Sequence, residues 1–314
     1  MSFARDSKEE VTRIKVDTQC CLKAELGAYI FINGSMNLGK KIYLELNSEN
    51  AAVARRMFSL LKEVFEVEAQ IVVRQKTRLK KNKVYNLRIE GREKILKILQ
   101  SIGLIKEGIE GLMLNENINQ EVIENECCKR SFLRGAYLAS GSMTDPDLSY
   151  HLEIITEYKS KGRDLVRIMD FFDLKPGLME KKNGYIVYIK GSEEISTFLN
   201  VIGAHKALLD FENVRVLKGM RNKINRLVNC ETANLQKTVV ASLRQVENID
   251  IIDRAIGISN LPPDLKEIAI KRVNYPEKTL KELGEELNPP LGKSGVNHRI
   301  RKLERMAKKI KKEI

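Results

Sequence analysis

The feature that most constrains this 314-residue chain is that it contains the same pattern twice. Cys20-Cys21 and Cys127-Cys128 recur 107 residues apart, and so do the triplets Gly34-Ser35-Met36 and Gly141-Ser142-Met143. Leu44-Glu45-Leu46 corresponds to Leu152-Glu153-Ile154. Residues 85–103 (YNLRIEGREKILKILQSIG) correspond to 185–203 (YIVYIKGSEEISTFLNVIG), at an offset of 100, so an intervening loop has shortened. A duplication found by self-comparison fixes the architecture before any single element is assigned.

Each copy reads as α-β-α-β-β-α. A helix ends at the Gly-Ser pair, with Gly and Ala along it that permit close approach of a partner helix. An aliphatic strand follows, residues 41–46 or 150–156. Residues 51–65 and 162–172 carry apolar residues at helical spacing, such as Val53, Met57, Leu60, Leu61 and Val64. A hairpin comes next, 69–73 with 84–89 and 178–180 with 185–189; the second turn holds the Asn183-Gly184 hairpin signal. Helices at 93–102 and 193–201 close the copies. The reading is an α+β duplicated domain followed by an all-α domain, divided as 1–110, 111–215, a helical linker 216–250, and 251–314.

The net charge of +13 points to a polyanion, with nucleic acid ahead of a membrane surface. No stretch approaches the length of a membrane span, and the first ten residues have no apolar signal core, so a cytoplasmic protein is expected. Five cysteines suit a reducing compartment. The paired cysteines invite a four-thiolate zinc reading across the repeat. Adjacent cysteines chelate poorly, however, and the expectation is buried packing thiols, with no metal and no cofactor.

The charge is concentrated at the C-terminus. Leu261-Pro262-Pro263-Asp264 breaks a helical region, read as 220–228 and 239–255, and starts a helix at 265–273. Thr279 with Glu282 forms a capping-box signature for a helix at 280–287. After Asn288-Pro289-Pro290-Leu291-Gly292 a longer helix begins at Ser294, with Val296, Ile300, Leu303 and Ala307 along one face. Short helix, tight turn and long basic helix describe a helix-turn-helix. From residue 290 onward nine basic residues face only two acids, Glu304 and Glu313. Lys293, Ser294, Asn297, His298, Arg299, Arg301, Lys302, Arg305, Lys308 and Lys309 are the candidate contacts to double-stranded DNA. Asn and Arg in the first turns suit bidentate pairing with adenine and guanine.

The segments LGAYIFINGS (26–35) and LRGAYLASGS (133–142) resemble two copies of the LAGLIDADG helix of homing endonucleases. That resemblance implies two helices at a pseudo-twofold axis and a β-saddle along the major groove. The endonucleases carry an acidic residue just before the final Gly, where paired carboxylates hold divalent metal at the scissile phosphates. Asn33 and Ser140 stand at those positions, so catalysis is not expected. Over nearly the whole chain, the strings RGAYLASGSMTDPDLSYHLEI, NCETANLQKT and YPEKTLKELGEELNPPLGKSGVNHRIRKLERMAKKI are similar to the bacterial WhiA family. The resemblance implies a non-enzymatic transcriptional regulator connected with cell division, chromosome segregation and sporulation. It leaves room for transcription or cell-division proteins as partners, and implies no membrane and no small-molecule substrate. Two other readings stay open: an endonuclease with unconventional metal ligands, and a duplicated domain that binds protein while only the tail contacts DNA. Arg74, Lys76, Arg78, Lys80, Lys81 and Lys83 form a basic stretch on the first hairpin, whereas the second keeps only Lys181 and Lys182.

Overall fold

In a computed structural model, residues 2–38, 41–75, 83–108 and 111–313 are described. The chain forms two compact units, Met1–Lys218 and Gly219–Ile314.

In the first unit a short helix α1 (Phe3–Val11) precedes the first copy: α2 (Gln19–Asn33), β1 (Gly34–Leu38), β2 (Ile42–Ser48), α3 (Ala51–Phe65), β3 (Gln70–Gln75), β4 (Lys83–Glu90) and α4 (Arg92–Ser101). A hairpin of β5 (Ile105–Gly108) and β6 (Gly111–Leu114) and a 3-10 turn (Gln120–Ile123) lead to the second copy. That copy comprises α5 (Glu126–Ser140), β7 (Gly141–Met143), β8 (Leu152–Thr156), α6 (Lys159–Asp170), β9 (Gly177–Lys181), β10 (Gly184–Ile189) and α7 (Ser192–Ile202). The central helices α2 and α5 are each 15 residues long and end 107 positions apart, as the repeat requires. Both sheets are antiparallel with one order, β1-β2-β4-β3 and β7-β8-β10-β9.

Each sheet therefore has one strand more than the α-β-α-β-β-α reading. The chain leaves the helix at Gly34 or Gly141 and pairs at once with the following strand, Gly34 opposite Leu46 and Gly141 opposite Ile154. These first strands are only five and three residues long, too short to show an alternating pattern. Glycine is required at both junctions by space. A Cβ at Gly34 would lie 2.5 Å from the Ile30 carbonyl oxygen, and one at Gly141 would lie 2.2 Å from the Tyr137 ring.

α2 is apolar nearly all round, which is the pattern of a helix enclosed by its own domain. It meets α5 so closely that a Cβ on Gly135 would sit 2.1 Å from the Glu25 carbonyl oxygen. Glu25 is fully buried at this crossing. Its carboxylate accepts from Arg56 Nε (2.8 Å) and Nη2 (3.0 Å) and from Arg134 Nη1 (3.1 Å) of the second copy. Arg134 Nε donates to the Ile202 carbonyl at 2.9 Å. One apolar core runs through both copies, from Leu44, Leu87 and Ile89 to Leu152, Val187 and Ile189.

The region read as two helices, 220–228 and 239–255, belongs to one helix, α8 (His205–Ile256). Residues 229–238 are polar but contain neither Pro nor Gly, and polarity alone does not end a helix. The second unit continues with α9 (Pro263–Asn274), α10 (Leu280–Glu285) and α11 (Lys293–Glu313) around a core of Ile249, Ile252, Leu265, Ile268, Leu283, Val296, Ile300 and Leu303. Among the described residues no helix is long and apolar enough to cross a membrane.

Candidate nucleic-acid interface

The capping box at the head of α10 forms: Glu282 N donates to Thr279 Oγ1 (3.3 Å), and Thr279 N donates to Glu282 Oε2 (2.7 Å). These bonds hold the Glu282 carboxyl below its ordinary pKa. Gly284 then lets the turn fold back. Leu291 N donates to the Gly284 carbonyl at 2.9 Å, and a Cβ at 284 would meet the Leu291 carbonyl oxygen at 2.0 Å. On the other side, buried Arg272 uses Nη1 to gather the carbonyls of Lys278 (2.7 Å), Pro276 (3.3 Å) and Tyr275 (3.4 Å). Ser242 Oγ on α8 donates to the same Pro276 carbonyl. The loop before α10 is thus tied to both α8 and α9.

α11 buries Val296, Ile300, Leu303 and Ala307 along one stripe. At 3.6 residues per turn, the opposite side carries Ser294, Asn297, His298, Arg301, Lys302, Arg305, Lys308 and Lys309, with Lys293 at the helix start. All of these are exposed except half-buried Asn297. Ten candidate residues were read from the sequence, and nine share this outer face. Arg299 does not. It flanks the buried stripe and turns to α9, where Nη1 donates to the Asp264 carbonyl (3.3 Å) and lies 3.9 Å from Glu267 Oε2. Its guanidinium braces two helices, which sets it apart from the other nine. Glu304, the acid within the basic run, is paired to Arg244 Nη2 at 3.0 Å.

In the first unit Asn33 and Ser140, the residues before the final Gly of each central-helix motif, spend their side chains on hydrogen bonds to backbone. Asn33 Oδ1 accepts from Asn47 N (3.1 Å), and its Nδ2 donates across the axis to the Ala139 carbonyl (3.4 Å). Ser140 Oγ donates to the Ile155 carbonyl at 2.6 Å. Each side chain latches the end of its central helix to the second strand of its own sheet.

Sequence reasoning missed two lysines here. Lys8 Nζ, from α1, donates to the Leu138 carbonyl (3.4 Å), and Lys161 Nζ, from α6, donates to the Phe31 carbonyl. Phe31 and Leu138 are repeat mates, each two residues before Asn33 or Ser140. An ammonium therefore caps the negative end of each central helix. Burial pushes Lys8 down to about 8, and lowers Lys161 as well, against an opposing pull from Glu157. No sequence signal links these residues, because each contact spans 130 positions.

The outer faces of the two sheets differ. In the first, Ser35, Asn37, Tyr43, Glu45, Asn47, Asn86, Arg88 and Arg74 share one side by register. Glu45 there accepts from Asn86 Nδ2 (2.6 Å) and Arg88 Nε (2.8 Å). Arg74 and Lys83 are both exposed but occupy adjacent register positions, opposite Val84 and Gln75, and so point to opposite sides of the sheet. Lys76, Arg78, Lys80 and Lys81 lie outside the described residues. In the second sheet the corresponding side carries Ser142, Glu153, Ile155, Met179, Lys181 and Tyr188 around buried Ile186, with His151 stacked on the Tyr188 ring.

Of the paired cysteines, Cys21 and Cys128 are buried while Cys20 and Cys127 are exposed, so the expectation of four buried thiols holds for half of them.

Three family models match the chain in order: WhiA N-terminal LAGLIDADG-like domain at 19–105, WhiA LAGLIDADG-like domain at 129–221, and WhiA C-terminal HTH domain at 224–307. A protein of Natranaerobius thermophilus named probable cell division protein WhiA is 52% identical over 310 residues, 99% of this chain and 96% of its own. A protein of the same name from Bacillus licheniformis is 49% identical, covering 99% and 98%. The crystal structure of full-length WhiA from Thermatoga maritima superposes with a TM-score of 0.61 at 25% identity, covering 98% of this chain and 99% of that one. The matches run the length of the chain through both copies and the helix-turn-helix, and the chain belongs to the WhiA family.

Proposed function

We infer that this protein is a sequence-specific, non-enzymatic DNA-binding regulator acting in cell division. The observation that carries the reading is the two-sidedness of α11: a buried stripe locked onto α9 and α10, and opposite it an outward row of basic and amide side chains. Near the helix start, Asn297, His298 and Arg301 are the base readers, while Lys302, Arg305, Lys308 and Lys309 are phosphate contacts. The names of the relatives, probable cell division protein, supply the process; control of transcription, chromosome segregation and sporulation belong to the same proposal. The protein works in the cytoplasm on the nucleoid. The boundaries that go with this reading are two repeats at 1–110 and 111–215, a helical linker 216–250 and the reading domain 251–314.

Absence of nuclease activity is part of the proposal. Asn33 and Ser140 spend their polar atoms on backbone, and two ammonium groups already neutralise the helix ends at which a divalent cation would have to sit. Supercoiled plasmid incubated with magnesium or manganese should stay intact.

Exposed Ile155 and Met179 on the outer side of the second sheet, beside Glu153 and Lys181, favour protein binding for that half of the saddle. The decisive experiment recovers target sites by genome-wide DNA co-precipitation and titrates them with the purified protein. Arg301→Ala should weaken the target by about 1–3 kcal/mol and scrambled duplex much less. Equal weakening of both would assign Arg301 to the backbone, and full specificity in a variant with α11 deleted would make the saddle the reader.

A further inference from the structure

The thiols of Cys20, Cys21 and Cys128 converge: their sulfur atoms all lie within 4.8 Å of one another, two buried and one exposed. We propose that these three cysteines form a binding site for one thiophilic divalent cation, zinc, that clamps the two copies of the duplicated domain together. The sequence argues against such a site only when the four cysteines are imagined as two adjacent chelating pairs. The fold instead adds a third sulfur, from Cys128 on the other central helix, to the adjacent pair Cys20-Cys21.

The geometry is close to what the metal needs. Sulfur ligands at about 2.3 Å in a tetrahedron stand roughly 3.8 Å apart, so the present spacing requires a contraction of about 1 Å or less. Soft thiolate donors select zinc over the hard cations that a nuclease would use.

Charge compensation is also in place. Cys20 and Cys21 are the second and third residues of α2, and Cys128 is the third residue of α5. All three thus sit in first helical turns, whose positive dipole ends favour thiolate and work against the burial that pushes the Cys128 thiol up. Neither Thr18 nor Asn125, the residues preceding those helices, caps them with its side chain. The first-turn donors of both helices are therefore left without a side-chain acceptor. Val16, Ala24 and Val122 pack around the buried sulfurs and keep water from them, while exposed Cys20 marks the route by which the cation enters. Three thiolates leave the fourth tetrahedral position for a water molecule on that side.

The exposed Cys20 also supplies the readout. Reduced, metal-free full-length protein is alkylated with iodoacetamide, with and without one equivalent of zinc, and the modified cysteines are mapped by mass spectrometry. Cys20, Cys127 and Cys230 are all exposed and should react without metal. Zinc should protect Cys20 and leave Cys127 and Cys230 reactive. Cobalt titration should give a thiolate-to-metal charge-transfer band saturating at one equivalent. Cys20→Ser, which disturbs no packing, should weaken cobalt binding by more than about ten-fold. Cys128→Ala should abolish the protection of Cys20 in a chain whose far-ultraviolet dichroism is unchanged, and Cys230→Ala should leave both signals intact. Equal alkylation of Cys20 with and without zinc, or a cobalt band unchanged by Cys20→Ser, would overturn the proposal.

Discussion

Replacing Glu25 by Gln tests how the two copies are held to each other. The side chain keeps its shape, yet the carboxylate that three charged donors converge on becomes a neutral amide. Glu25 is 0% exposed, and the side chains of Arg56 and Arg134 are 13% and 9% exposed, so water replaces the lost charge poorly. Removing one partner from a buried ion network costs about 3–5 kcal/mol, because it strands the remaining charge. Arg134 retains its bond to the Ile202 carbonyl, which places the expected loss toward the lower end, about 3 kcal/mol. Urea unfolding followed by tyrosine fluorescence is the suitable assay. The chain has no tryptophan, and of its nine tyrosines only Tyr275 lies outside the first unit. The paired change Glu25→Met with Arg134→Met should cost less than the sum of the two single changes, with Arg56 the charge still left unpaired. A loss below about 1 kcal/mol for Glu25→Gln, or costs that simply add in the pair, would refute the claim that this crossing is electrostatically locked.

Two further outcomes follow from buried cations. Arg272→Met should destabilise the second unit by about 2–4 kcal/mol, since it leaves a cluster of loop carbonyls without their charged donor, and hydrogen exchange across residues 263–313 should speed up accordingly. Lys8 should make the first unit more stable as the pH rises from about 8 to 10.5. Its folded-state pKa is depressed, so over that window the unfolded chain binds the proton more tightly, and burial penalises the fold most below pH 8. The effect is at most about 3 kcal/mol. Subtracting the stability-pH profile of Lys8→Met from that of the wild type isolates it, and identical profiles would contradict the burial of a charge there.

Much of this fold is legible because duplication is written in residues that the backbone itself requires. Gly34 and Gly141 recur since no Cβ fits at either helix end, while Gly135 faces its repeat mate Ala28 where the helices touch. The capping box of Thr279 and Glu282 is likewise local and readable. What escapes the sequence is phase and long-range pairing. β1 and β7 are too short to alternate. Arg299 looks like its basic neighbours in composition, and only its position beside Val296 and Leu303 on the helical wheel separates it from them. Lys8 and Lys161 carry no local pattern at all, although they occupy equivalent carbonyls in the two copies. The meeting of Cys21 and Cys128 across the axis is hidden for a similar reason, since it joins positions more than 100 residues apart.

The most direct test of the central claim is the salt dependence of DNA affinity. Each neutralised phosphate contributes a slope of about −0.9 in log affinity against log salt. The triple variant Arg305→Ala, Lys308→Ala, Lys309→Ala should therefore flatten the slope by about 2 to 3. Arg299→Ala, whose guanidinium faces α9, should leave the slope unchanged while lowering the stability of the second unit. If the triple variant keeps the wild-type slope, the outer face of α11 does not lie on the DNA backbone, and the reading of this helix as the DNA-contacting element is wrong.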